Sequence, residues 1–405
     1  MTKIPWQLSL LSILILVRMS LDSSPLHFTL PLVDISLSLS QAFGVGVALL
    51  GALLIVSERA RLRSFPLVAP FGIIFFWGLF SFSYSIAPQS TAQDLLRVFD
   101  LFVIGLLAFT GTRNLRNFRS VITAILAASI LPIAFGIAQF FLGIGFSDEN
   151  VGAPRIFGTF AHPNVYSLFL FSIVLTSILF LTLYARIPKS RLIGGAFLAL
   201  SSLALLLTFS RVAWIALFVS LVLLSLWRFR LLLVPLLLMP LILLIFSSSV
   251  RDRVDETFDP TPDSSVVWRQ TLWADNIRKA EIDGRQWLGT GLETFPKASE
   301  DLRGIRFGSN EAHNDFVKFF IEGGYVGLAA FVAYLLSIIS IIVLSYRRTE
   351  DPRLKTVFGF LLVFFLSMGL AMLSDNIFKN TPLWWIFFAT LGAALGALRQ
   401  ERDTK

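Results

Sequence analysis

Residues 200–226 read LSSLALLLTFSRVAWIALFVSLVLLSL, and in that whole stretch Arg211 is the one charged side chain. It stands between two apolar runs. With their flanks, 192–208 and 212–227, each run approaches the ~17–25 residues that a helix needs to cross the hydrocarbon of a bilayer. The run at 231–246 is similar. Across 405 residues, 55% hydrophobic positions, 40 Phe and a mean hydropathy of +0.76 amount to more apolar surface than a water-soluble core of this length could bury. The solvent of this chain is therefore mostly lipid.

Taken in order, the apolar runs predict spans at 5–21, 36–56, 66–84, 95–111, 119–143, 164–184, 192–208, 212–227, 231–249, 317–346, 354–373 and 382–398. The first has a basic start but no persuasive small-residue cleavage site, so it reads as a span and not a signal peptide. Alternate short loops carry the basic residues: Arg59, Arg61 and Arg63; Arg113, Arg116 and Arg119; Arg186, Lys189 and Arg191; Arg228 and Arg230; Arg347, Arg348, Arg353 and Lys355. Lys and Arg are retained in the cytoplasm, so this alternation sets both termini inside. The expectation is an all-α integral membrane protein of about twelve transmembrane helices. It divides into spans one to nine at 1–249, a large extracytoplasmic loop with short helices at 250–316, and spans ten to twelve with a cytoplasmic tail at 317–405.

The net charge of +8 is spread between spans and not gathered on one face, which speaks against nucleic acid. Cysteine is absent and there are three histidines, leaving little for a metal site; no metal and no cofactor are expected. Charged residues near the middle of spans are few, so no chain of buried carboxylates for ion coupling is apparent.

Candidate chemistry falls on the outer face, where His27, His162 and His313 all lie. Arg211 at the mouth between two spans needs a partner: either its head reaches to lipid phosphates, or its planar fork forms an anion site. Arg269 sits between Trp268 and Trp273 on a helix expected from 264 to 280 to lie amphipathically on the membrane; it is either a solvated arginine or one held at the interface by its aromatic neighbours. His313, in Glu311-Ala312-His313-Asn314-Asp315, borders the tenth span. Histidine exchanges protons near neutral pH, which suits a general base, while capping by Asn314 or Asp315 and a structural His313 serve equally well as a reading. Arg155, His162 and Asn164 flank a loop whose Pro163 and Asn164 suit a helix start. Gly289-Thr290-Gly291 reads as a turn, and Gly323 and Gly324 as sites of close helix packing. Asp375, Asn376 and Lys379 in the last outer loop either line a cleft or, the better reading, are ordinary solvated loop residues.

In this order, Thr208-Phe209-Ser210-Arg211, Trp268-Arg269-Gln270 with Trp273, Gly289-Thr290-Gly291-Leu292-Glu293-Thr294-Phe295, and Ala312-His313-Asn314-Asp315 through Glu322-Gly323-Gly324 resemble the motifs of the O-antigen ligase and polymerase superfamily of bacterial membrane glycosyltransferases. The likeness is concentrated between 150 and 330. It implies a metal-independent, inverting transfer of a glycan from undecaprenyl diphosphate to an acceptor hydroxyl, on lipid A core or another growing polysaccharide, at the outer face of the cytoplasmic membrane. It also implies diphosphate binding by Arg211 and Arg269, proton acceptance by His313, and donor or acceptor contacts from Arg155, His162, Asn164 and Asn314. The partners so implied are the lipid-linked donor, the lipid or glycan acceptor and membrane lipids. The rival reading is a lipid-linked oligosaccharide flippase or another transporter. Against it stand the lack of repeated halves, of a central cytoplasmic linker and of midplane polar residues.

Overall fold

The computed structural model describes residues 5–21, 27–30, 35–146, 154–230, 265–303 and 310–403, with isolated positions between 233 and 251. Helices dominate: α1 (Trp6–Leu21), α2 (Leu39–Ser57), α3 (Arg59–Leu62), α4 (Val68–Phe82), α5 (Pro88–Gly111), α6 (Leu115–Ala128), α7 (Ile130–Leu142), α8 (Pro163–Tyr184), α9 (Pro188–Leu207), α10 (Arg211–Trp227), α11 (Ser265–Ile282), α12 (Phe295–Arg303), α13 (Asp315–Arg348), α14 (Pro352–Ala371) and α15 (Thr381–Asp403). Local chemistry sets many of their starts. Ser38 and Gln41 close a capping box on α2, Asn114, Asn314 and Asp351 cap α6, α13 and α14, and Pro occupies the first turn of α5, α8, α9 and α14.

Among the described residues, seven helical segments are long and apolar enough to cross a membrane: α2, α6 with α7, α8, α9, α13, α14 and α15. The twelve expected runs thus separate into classes. α1, α4 and α10 are apolar but shorter, and the run at 231–249 lies outside the described residues. α5 begins at Pro88, well before the expected 95, and carries Asp94, Arg97 and Asp100. The run at 119–143 breaks at Ser129, the N-cap of α7, because Pro132 lacks the N–H for a continuous ladder and its ring opposes the preceding turn. One departure from an all-α fold is a hairpin of β1 (His27–Leu30) and β2 (Ile35–Ser38), antiparallel with His27 opposite Ser38, which leads directly into α2.

α15 is the axis of the bundle, buried along its apolar length and packed chiefly on α5. Their closeness follows from Gly392 and Gly396: a Cβ at Gly392 would stand 2.2 Å from the carbonyl oxygen of Gly105, and one at Gly396 2.5 Å from that of Phe109. Buried hydroxyls in α8 return to their own helix, as in Thr176 to the Ser172 carbonyl, and Ser220 bonds Ser367 across α10 and α14 at 2.7 Å. Leu49, Leu53, Phe76, Phe141, Leu192, Ile215 and Leu226 point outward and are exposed, a belt that lipid would cover.

The expected surface helix exists as α11, but protein covers it. Its Leu272 and Ala280 join Phe295, Ala312 and Ile321 in a second apolar cluster, with Trp268 and Ile277 packed alongside. The apolar face thus meets α12 and the start of α13, not a membrane surface.

Candidate active site

α13 is one helix in the chain but two in geometry, for Gly324 has φ 58° and ψ −157°. The break takes Tyr325 and Val326 out of the ladder, and their N–H groups donate instead to the Gln286 and Trp287 carbonyls at 2.9 and 3.3 Å. The carbonyls of Ile321 and Glu322 in turn accept from Thr290 and Gly291 at 3.1 and 2.8 Å. These four backbone groups at the kink are thereby satisfied. There is no room for side chains in this joint: a Cβ on Gly324 would lie 2.2 Å from the Trp287 carbonyl carbon, and one on Gly289 2.3 Å from that of Glu322. Gly289-Thr290-Gly291, read from sequence as a turn, is a bend at Thr290 between turns at 286–288 and 292–293, and its partner is Glu322-Gly323-Gly324. Gly323 and Gly327 also admit Trp77 of α4, where added Cβ atoms would come within 2.4 and 2.6 Å of its ring.

Beside the joint lies a buried charge cluster. Glu293, held at φ 58°, contacts the Lys318 ammonium and lies 2.5 Å from Lys379. Glu322, fully buried, accepts from the Phe295 N–H at 3.1 Å and stands 3.8 Å from Lys318. Lys379 reaches on to Glu311 at 2.9 Å, whose other oxygen accepts from Asn376. Burial pushes the Glu293 carboxyl up, but the two ammonium groups outweigh it and hold the group well below the usual carboxylate range. Burial likewise depresses Lys379, and Glu293 with Glu311 restores and raises it.

His313 has φ 48°, and its Nδ1 lies 3.0 Å from Asp375 Oδ1. Asp375 Oδ2 accepts from Asn164 Nδ2 at 3.4 Å, Asn164 Oδ1 accepts from Arg155 Nη2 at 2.8 Å, and Arg155 Nε donates to the Thr208 carbonyl at 2.8 Å. This chain of contacts runs from His313 to the turn that begins α10 at Arg211. Arg269 joins it from α11 by donating Nη1 to the Ser374 carbonyl at 3.0 Å, one residue before Asp375. Trp268 approaches the His313 ring edge-on at 6.4 Å, and Trp273 Nε1 donates to the Ala312 carbonyl at 2.6 Å. Burial pushes the Asp375 carboxyl up, yet the hydrogen bond and charge of His313, with Arg269, bring it below its ordinary value. An ionised Asp375 can only accept, so Nδ1 of His313 carries a proton, and in the neutral ring the lone pair then falls on Nε2.

The structure also places the other sequence candidates. His162 is the N-cap of α8, its Nδ1 accepting from the Asn164 N–H at 3.1 Å, with Phe146 edge-on to its ring at 5.0 Å. Asn314 caps α13 through the Phe316 and Val317 N–H groups and donates to the Leu373 carbonyl at 3.1 Å. Arg211 is half-buried as the first residue of α10, after Phe209 at φ 50°. Phe209, Glu293 and His313 are the non-glycine residues with left-handed backbone among those described, and each falls in a different motif of the site.

Sequence reasoning passed over several residues here. Asp375 and Lys379, read as solvated, are respectively 7% exposed and paired on both sides. Lys318 and Glu322, one helical turn apart in an otherwise apolar run, were a signal of buried pairing. Arg97 is held by Asp94 at 2.5 Å, by the Phe378 carbonyl at 2.7 Å and over the Phe378 ring.

No curated protein matches the chain. Residues 196–332 match the family model described as O-Antigen ligase, a region running from α9 through Arg211, Arg269 and His313 into α13. With the seven membrane-length helices among the described residues, the match supports the O-antigen ligase and polymerase superfamily over 196–332 and points to a bacterial membrane protein of a glycan-transferring kind.

Proposed function

We propose that the protein transfers a glycan from undecaprenyl diphosphate to a hydroxyl of lipid A core or another growing polysaccharide at the outer face of the cytoplasmic membrane. The observation that carries this reading is the His313–Asp375 pair, fastened through Asn164 and Arg155 to the Arg211 turn and flanked by Arg269. In the proposed reaction the acceptor oxygen attacks the anomeric carbon as its proton passes to Nε2 of His313. The glycosidic C–O bond breaks, and undecaprenyl diphosphate leaves with the bonding pair. Arg211 and Arg269 hold the diphosphate and oppose the charge that grows on it, without a metal. A single displacement inverts the anomeric centre. Arg155, Asn164, His162 and Asn314 shape the surrounding contacts. This reading takes twelve spans, both termini in the cytoplasm, and 250–316 as the extracytoplasmic layer between 1–249 and 317–405.

The test is transfer from a synthetic undecaprenyl diphosphate-linked glycan by purified protein in chelator, for wild type and for Arg211→Ala, Arg269→Ala and His313→Ala. Loss of transfer in all three, with normal membrane insertion, is the expected outcome. A His313→Ala protein as active as wild type would remove the proton acceptor from the scheme. A wild type inert toward both acceptor kinds would favour the flippase.

A further inference from the structure

At the end of the bundle away from His313, a cavity of about 440 Å³ opens between the last turns of α13 and α15, the end of α5 and residues 64–66, which lead into α4. α13 runs from one place to the other. His313 lies just before its first residue, Asp315, and Arg348, its last residue, lines the cavity. The transfer chemistry proposed above uses nothing here.

Three guanidinium groups, of Arg348, Arg399 and Arg402, line this space, and among the described residues no carboxylate does. Arg399 lies over the Phe109 ring, 5.8 Å from its centroid, which holds its head against the wall. Arg348 and Arg402 are exposed and have no carboxylate at ion-pair distance among the described residues. Glu401, next to Arg402 in the chain, turns to the Thr349 hydroxyl and the Glu350 N–H, at 2.7 and 3.0 Å. The carbonyl ends of α5, α13 and α15 oppose an anion with roughly half a charge each, about half of what three guanidinium groups supply. The balance selects an anion, and the planar fork of arginine matches phosphate oxygens.

The floor and the approach decide which kind of phosphate. Phe109, Leu395 and Leu398, all buried, close the cavity with apolar surface. Outside it, Val332, Leu336 and Leu344 stand exposed on α13 in a row of four-residue steps that passes Ser340 and ends at Arg348. In a bilayer this row meets acyl chains. A phospholipid whose phosphate sits on Arg348 can lay its chains along the same helix, whereas a free phosphate meets the guanidinium groups alone.

We infer that this cavity binds the phosphate headgroup of an anionic membrane phospholipid, at the face of the bilayer opposite the transfer site. Calling that face cytoplasmic rests on the topology proposed above; the binding does not. A basic pocket between span ends is the form such lipid sites take.

The experiment titrates full-length protein in detergent with phosphatidylglycerol or phosphatidylcholine and follows bound lipid by native mass spectrometry, with and without inorganic phosphate. Wild type should prefer phosphatidylglycerol by about fivefold or more. Arg348→Gln and Arg402→Gln should each weaken its binding about fivefold, the worth of one basic residue at a lipid surface. Ser64→Trp, which fills the cavity from its exposed rim and changes no charge, should do the same. Arg347→Gln removes an equal charge from an exposed neighbour that does not line the cavity, and should leave binding as it is. A wild type without preference, equal weakening by Arg347→Gln, or unaltered binding in Ser64→Trp overturns the inference. Displacement of the lipid by millimolar inorganic phosphate would give the cavity to a soluble anion and overturn the lipid assignment. None of these outcomes depends on glycan transfer.

Discussion

His313 illustrates what a single carboxylate decides. Asp375 fixes which ring nitrogen holds the proton, and an amide in its place can present an N–H to Nδ1 and reverse the tautomer. Asp375→Asn should therefore lower transfer about a hundredfold or more while undecaprenyl diphosphate binding persists, measured as kcat against donor affinity. An unchanged kcat would mean that the pair orients nothing that matters to the reaction. His313, Arg269 and Arg211 were visible in sequence as candidates because each stands beside an apolar run or an aromatic pair, where a polar group demands explanation. Asp375 was less so: it lies in a short loop whose composition is that of ordinary solvated turns, and the partner that engages it, His313, is sixty-two positions away in the chain. The strain at Phe209, Glu293 and His313 was equally hidden, since residue type does not announce a left-handed backbone in these three.

At the scale of elements, the charge cluster and the joint make separate predictions. Glu293 has a folded-state pKa below that of the unfolded chain, so its contribution is complete above the unfolded value of ~4.3 and is lost as falling pH protonates the carboxylate. Glu293→Gln leaves the buried Lys318 short of its partner and should cost about 3 kcal/mol near neutral pH. In thermal melts from neutral to acid conditions, the gap between wild type and variant should close as the pH drops; a constant gap would assign the loss to packing. Gly324→Ala meets both an unfavourable φ and the Trp287 backbone, a cost of about 3 kcal/mol or more. It should expose 283–294 to protease before the bundle melts, and a variant with wild-type resistance would show that the kink relaxes freely. Sequence suggested each glycine pair as a turn or a packing point. That the two pairs exchange backbone hydrogen bonds is a long-range fact that neither local pattern contains.

For the whole molecule, the apolar runs were readable because lipid tolerates few alternatives to a helix, whereas α5 was shortened in the reading since the polar stretch up to Asp94 looks like loop, while Arg97 and Asp100 fell within the expected span. Their tertiary partners allow the helix to carry them inward. The covering of α11 by α12 and α13 was likewise invisible to a reading in which membrane was the available apolar surface. The α5–α15 crossing sets the bundle's integrity, so Gly392→Leu should force the axis apart, cost about 3 kcal/mol or more, and reduce the monodisperse fraction on size exclusion in detergent. A wild-type melting temperature would place the stabilising contacts elsewhere. The broken α13 has a mechanical meaning as well. Riveted to 286–291 on both sides of the kink, and joined to the bundle by the Asp315 N–H on the Met372 carbonyl, its first three turns hold His313 in the same rigid frame as the spans, so the histidine cannot shift without loosening one of these seams.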